Sequence, residues 1–297
     1  MSSDFAGDFA KLTPRNNIAQ RLFSKAYAYV EQNDAFHLSF IKCTPSSEKF
    51  PTSDEPVESS TEYDTQPDSD AEDYEAQKLQ HSGCFVLSLH KERAPEAPRM
   101  GWRAGRGTSK FVNRNVDLLL AKPGDVMGKS LASVHVILQF HMKSGFLMLQ
   151  NGSAKVAVEH NIGGSWKRLG YLEKQLMFTK QGIVRAGECE YELEYTLKME
   201  QREAYLNMRD RYIEAVFGGG DMKLSPPLQA IPGDSCVQRG RHIEFETRGR
   251  GAFGWISQGV NTETGDLIAI KELRISNSRE RKEVRQEVDI GRRFNVS

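Results

Sequence analysis

Between residues 81 and 197 the chain repeats one pattern: a short apolar or alternating run, then a break of Gly, Asn, Ser or Lys. The runs are Cys84–Leu89, Val116–Ala121, Val134–Met142, Gly145–Leu149, Lys155–Glu159, Gly170–Phe178 and Cys189–Leu197. Each is too short for a stable helix, and many alternate with the period of two that turns successive side chains to opposite faces of a strand. Strand after strand at this spacing predicts an antiparallel β-sandwich and a mainly β protein. An immunoglobulin-like sandwich would want a secretory context and a close cysteine pair. Neither is found here.

The flanking sequence divides the 297 residues into further parts. Residues 1–43 hold an amphipathic stretch, Ile18–Val30, and the apolar run Phe36–Ile41, read as a helix and a strand that add to a neighbouring domain. Residues 44–80 are rich in Ser, Thr, Pro, Asp and Glu with almost no aliphatic side chains, the composition of an acidic disordered linker. Residues 198–240 are a helix and a connector: Lys198–Phe217 has Tyr205, Met208, Tyr212 and Val216 on one side, ends at Gly218-Gly219-Gly220, and leads into an irregular, partly apolar segment expected to pack on the C-terminal sheet.

Forty basic residues balance forty acidic ones. That removes any general electrostatic argument for nucleic-acid or anionic-membrane partners. Apolar runs are too short to span a bilayer and no signal peptide is read, so cytoplasm or nucleus is the expected location. The four cysteines, Cys43, Cys84, Cys189 and Cys236, are too widely spaced for a zinc pattern or a disulfide framework, and no metal site is expected.

Within the strand-rich region three short signatures occur in order: Gly105-Arg106, then Ala132-Ser133-Val134-His135, then Asn151-Gly152. With Gly187–Leu193 as a final strand, they resemble a divergent forkhead-associated (FHA) domain, a sandwich that reads phosphothreonine through its loops. The resemblance implies a phosphorylated protein or peptide as partner, with Arg106 as the phosphate fork and Asn151 as a backbone or peptide contact. A phosphate dianion calls for such a guanidinium together with hydroxyls and amides. The position matching the family's phosphate-binding serine is Ala132, so Ser133 or Ser130 would have to supply the hydroxyl. His135 reads as a hydrogen-bonded structural residue.

The C-terminal part, residues 241–297, carries a different motif. Gly249-Arg250-Gly251-Ala252-Phe253-Gly254 is followed by the strand-like Trp255–Val260, turn chemistry over 261–266, and a second strand-like run from Leu267 to Ile275. Glycines followed by a strand cap a β-hairpin, whereas a dinucleotide fingerprint would open a helix. Alternation puts Ala269 and Lys271 on one face, an apolar bed for a nucleobase beside a cation for its phosphates. The glycines let backbone amides approach phosphate closely, and Phe253 at the tip would shield it from water. Ser276-Asn277-Ser278 offers caps for a charged helix over 279–294, on which Glu287 lies between Val284, Val288 and Gly291. A carboxylate on that stripe calls for a cation, and Lys271 is the obvious one, with Glu283 the alternative carboxylate.

Glycine loop, hairpin, Ala-Ile-Lys strand and helix, in this order, resemble the start of a eukaryotic Ser/Thr protein kinase domain. The resemblance implies an α+β fragment similar to the kinase N-lobe. It also implies Mg-ATP as cofactor, held by Gly249, Arg250, Gly251, Ala252, Phe253, Gly254, Ile256, Ala269, Lys271 and Glu287. Joined to an FHA domain it is similar to fungal kinases of the checkpoint type. No H-R-D, D-F-G or A-P-E segment follows the helix, and Asp4-Phe5-Ala6-Gly7 lies at the wrong end. No catalytic residue is therefore assigned, and the chain as it stands is expected to be inactive: the start of a longer kinase with a protein substrate, a truncated product, or a non-catalytic adaptor. Fifty-seven residues also fall short of the ~100 at which a core becomes comfortable, so this part needs a support.

Overall fold

The computed structural model describes residues 6–44, 81–108, 115–218, 228–251, 254–273, 275 and 277–294. Of the region expected to be a linker, 44–80, Thr44 ends a strand and residues 45–80 lie outside the described ones. The protein is mainly β and built from antiparallel sheets. Strand β1 (Asp8–Pro14), helices α1 (Asn17–Asn33) and α2 (Ala35–Leu38) and strand β2 (Ile41–Thr44) come first. They are followed by β3 (Ser82–Ser88), β4 (Trp102–Gly105), β5 (Leu118–Leu119), β6 (Val136–Phe140), β7 (Leu147–Asn151) and β8 (Val158–Asn161). Next are β9 (Trp166–Leu169), β10 (Lys174–Leu176), β11 (Gln181–Ala186), β12 (Cys189–Tyr195) and α3 (Arg202–Phe217). Finally come β13 (Val237–Arg239), β14 (His242–Gly251), β15 (Gly254–Asn261), β16 (Leu267–Leu273) and α4 (Ser278–Phe294).

Two sheets share one core, as in a β-sandwich. The first has the order β2-β3-β1-β12-β11-β8-β9 and the second β10-β7-β6-β4-β5; the β4–β5 pair is parallel. The alternating burial of β12, in which Cys189, Tyr191, Leu193 and Tyr195 all face inward, is what a strand with one wet face requires. Phe9, Leu12, Val184 and Leu193 of the first sheet meet Trp102, Leu138, Leu147 and Leu176 of the second in one buried cluster. Burying side chains of this size stabilises the fold by roughly 1.5–3 kcal/mol each.

The sandwich is not contained in 81–197. β1 lies between β3 and β12, pairing Leu12 with Leu193 on one side and with Phe85 on the other. The run Phe36–Ile41, read as a strand, is split between α2 and β2. The reason is local: Asp34 accepts hydrogen bonds from the Phe36 and His37 amides, which caps a helical turn. The buried His37 ring then bridges the Asp34 carboxylate (2.7 Å) and the Val116 carbonyl (2.9 Å).

Helix α3 buries Tyr205, Leu206, Arg209 and Ile213, a face rotated from the one expected from the sequence. Tyr212 stacks on Trp102 and Tyr205 packs beside Phe9. Arg209 is fully buried and donates to the Leu228 (3.0 Å) and Ala230 (3.2 Å) carbonyls. These contacts fasten the connector to α3, and its Leu228, Ala230 and Ile231 are buried in the same cluster as Ile243 and Val260 of the C-terminal sheet.

The third sheet has the order β13-β14-β15-β16. Its support is the edge of the five-stranded sheet. Ile243 and Val260 are buried in the sandwich core, Phe245 stacks on Phe146 with centroids 5.7 Å apart, and Leu176 donates its amide to the Thr262 carbonyl (2.6 Å). Gly265, with φ +80°, lies against the His141 ring, where a Cβ would come within 2.6 Å of the ring.

Candidate functional sites

The first candidate site is one end of the sandwich. β4 and β5 run out there side by side, β6 begins there, and β7 ends there, because Val136 is opposite Asn151. Arg106, the first residue past β4, is exposed, and its amide donates to the Ala132 carbonyl (3.1 Å). The Gly107 amide donates to the Ser133 carbonyl (3.1 Å). A Cβ on Gly105 would fall 2.2 Å from the Ser133 oxygen, so the glycine is what permits the two segments to approach. Arg106 and the half-buried Ser133 are thus brought to adjacent segments of this end.

Asn151 is placed differently from its expected role as a peptide contact. It is 1 % exposed, donates its side-chain amide to the Val156 (3.2 Å) and Leu169 (3.0 Å) carbonyls, and accepts from the Ser153 amide (2.8 Å). These bonds shape the 152–156 loop from inside, and Ala154 and Lys155 are the residues that loop exposes. His135 is fully buried and accepts at Nδ1 from the Ala132 amide (3.2 Å), a structural bond within the loop that follows Ser130. Burial lowers its pKa, and its Nε2 has no hydrogen-bond partner among the described residues.

Sequence reasoning missed Asp117. Its carboxylate is completely buried, accepts from the Glu96 (2.8 Å) and Arg103 (2.9 Å) amides, and pairs with the Arg103 guanidinium at 3.2 Å. It pins β5 to the strand that delivers Arg106. The signal available was an isolated carboxylate at the head of an apolar run, Val116-Asp117-Leu118-Leu119-Leu120, which demands buried partners.

The second candidate site is the outer half of the third sheet. Ile256 stands opposite Lys271 and Gln258 opposite Ala269, so these four side chains share one face. Ile256 is 47 % exposed, and Ala269 and Lys271 are exposed. A shallow groove of about 370 Å³ runs along Ile256–Gln258 and Leu267–Ala269. The β14–β15 hairpin pairs Gly249 with Ile256 and continues to Gly251 opposite Gly254. Ala252 and Phe253 at its tip, and the side chains of Arg250 and Glu287, lie outside the described residues. The proposed pairing of Lys271 with Glu287 falls there too. Glu283, the alternative carboxylate, pairs with Arg279 at 3.1 Å on the exposed face of α4.

Among the described residues no group of three or more His, Cys, Asp or Glu is gathered as a metal site, and no helix is long and apolar enough to cross a membrane. A scan against protein-family models finds no match for the chain, and a comparison with curated proteins finds none either.

Proposed function

We propose that the chain is a phosphosignalling protein: a phosphothreonine-peptide-binding module, FHA-like in its motifs, joined to the ATP-binding start of a Ser/Thr protein kinase domain. The observation that carries this reading is the neighbourhood of Arg106, whose guanidinium is exposed at a sandwich end beside the Ser133 segment. A guanidinium beside a hydroxyl-bearing loop is chemistry that a phosphate dianion recognises. Asn151 serves this reading indirectly, by holding the 152–156 loop in shape.

For the nucleotide half, the support is the shared face of Ile256, Ala269 and Lys271 beside the glycine hairpin. Ile256 and Ala269 offer an apolar bed, and Lys271, exposed on the same face, is the cation that phosphate would meet. Mg-ATP would supply the charged triphosphate that the glycine backbone and this lysine receive. No catalytic residue is assigned.

A second reading, a non-catalytic adaptor with a kinase-derived remnant, is favoured by one observation. Ile243 and Val260 of the third sheet are part of the sandwich core, so this sheet already has a structural role without any ligand.

The test of the peptide half is titration of the full chain with a phosphothreonine peptide. Arg106→Ala removes a charge-assisted bond of about 1.5–3 kcal/mol, so affinity should fall at least roughly tenfold. Unchanged affinity in that variant would overturn the assignment of Arg106.

A further inference from the structure

The turn that joins the two sheets of the sandwich displays apolar side chains that the fold does not use. β9 ends the seven-stranded sheet, β10 ends the five-stranded one, and residues 170–173 connect them. The edge of β10 is engaged, since Leu176 donates its amide to Thr262 of the third sheet. The outer edge of β9 has no partner strand among the described residues. Along β9 and the turn, Trp166 is 45 % exposed, Tyr171 56 % and Leu172 50 %.

Leu172 makes this display costly. Among the described residues it is the one non-glycine residue with a left-handed backbone, φ +63°, a conformation that glycine or asparagine holds with less strain. The turn is nevertheless fixed. Leu172 donates its amide to the Asn151 carbonyl (2.9 Å), Glu173 to the Gly170 carbonyl (3.1 Å), and Gly170 to the Glu173 carboxylate (2.7 Å). Trp166 is held as well, its ring 4.4 Å from the Arg185 guanidinium, which Glu159 and Glu190 flank at 2.9 and 3.1 Å. Apolar side chains held in place at an open edge lose little freedom on binding, which is what a docking surface requires.

The charge beside them has one sign. Lys167 and Arg168 are exposed and have no ion-pair partner among the described residues. A second copy of β9 paired antiparallel to the first would set these cations against their own kind, so the edge disfavours self-pairing. It favours an acidic strand.

We propose that the outer edge of β9 is a docking site for an extended acidic segment of a partner protein. Successive residues point to opposite faces, so Lys167 and Arg168 call for carboxylates on both faces and Trp166 for an apolar residue next to them. An antiparallel partner therefore reads Glu-Glu-Val opposite Arg168, Lys167 and Trp166. Backbone pairing supplies affinity and these side chains supply selectivity, as in strand addition generally. The site is independent of phosphate: β10 lies three strands from β4, the strand that delivers Arg106, or roughly 14 Å.

The experiment is titration of the full chain with three capped heptapeptides, Tyr-Glu-Glu-Val-Glu-Glu-Tyr and its counterparts with Gln or Lys in place of Glu, followed by amide hydrogen exchange. The Glu peptide should bind roughly fivefold tighter than the Gln peptide, and the Lys peptide weaker still, as expected of exposed ion pairs. Exchange should slow at residues 166–169. Lys167→Glu combined with Arg168→Glu should reverse the order of the peptides. Leu172→Gly keeps the turn without strain and should weaken the Glu peptide roughly threefold, whereas Arg106→Ala should leave its affinity unchanged. Equal binding of the three, no binding, an order untouched by the charge reversal, protection only outside β9, or a loss in Arg106→Ala overturns the assignment. Dimerisation that the charge reversal abolishes would give the edge to a second copy and overturn it too. So would a carbodiimide cross-link from Lys167 to a carboxylate within 45–80, which would give the edge to the chain's own acidic segment.

Discussion

The amide of Leu176 donates to the carbonyl of Thr262 at 2.6 Å, tying the edge strand of the sandwich to the turn between β15 and β16. The same strand, β10, is held at its other end by the loops of Asn151, whose amide donates to the Glu173 carbonyl (3.1 Å). Three residues of extended chain thus separate the loops of one candidate site from the sheet of the other. The third sheet closes an otherwise open sheet edge, which is a liability in isolated sandwiches.

That joint has a side-chain component that can be removed. Phe245→Ala deletes a ring stacked on Phe146. Since Phe245 is only partly buried, the cost should be about 2 kcal/mol, below the ~3–5 kcal/mol of a fully buried phenylalanine. Hydrogen exchange should rise first in the amides of β15 and β16, with those of β12 unchanged until global unfolding.

Arg209 makes a sharper prediction. Its buried guanidinium satisfies two connector carbonyls and pairs with Asp210 at 2.7 Å. Arg209→Ala should destabilise the protein by about 3 kcal/mol in denaturant unfolding, because buried polar groups lose their partner. Arg209→Lys should not restore stability, since an ammonium lacks the planar fork that reaches both carbonyls.

Histidine burial sets the acid limit. His160 is fully buried, neither ring nitrogen has a hydrogen-bond partner among the described residues, and burial, helped by Lys167, lowers its pKa from 6.5 to about 4. Above the unfolded value the ring is neutral in both states. As pH falls from about 6.5 towards 4 the unfolded chain takes up a proton that the folded one refuses, so stability drops across that window. His135 and His141 are also shifted down, mainly by burial, and add in the same direction. A series of melting temperatures against pH should show the decline, and His160→Gln should make it shallower.

For the nucleotide face, Mg-ATP should raise the melting temperature of the full chain by a few degrees, as ligand at about 100 times Kd stabilises by ~2.7 kcal/mol. Lys271→Ala should remove the shift. An absent shift in the unaltered protein would favour the adaptor reading.

Alternation made much of this legible in the sequence. It marks β12 and the β15–β16 pair, where Ala269 and Lys271 fall on one face as the period of two requires. Other features depend on partners far away in the chain. β1 is a strand because β3 and β12 flank it, and β4 and β9 are four residues each, too short to stand out. The buried face of α3 differs from the expected one because hydrophobicity cannot anticipate a buried arginine at position 209. At the candidate peptide site the motif residues were visible, yet the inward role of Asn151 depends on carbonyls 5 and 18 residues away.

The most direct measurement of the central claim is calorimetric titration of the full chain with two peptides of one sequence, differing only in phosphorylation of a single threonine. The account predicts binding of the phosphothreonine peptide and a loss of at least roughly tenfold for the unmodified one. Equal affinity for the two peptides would contradict it.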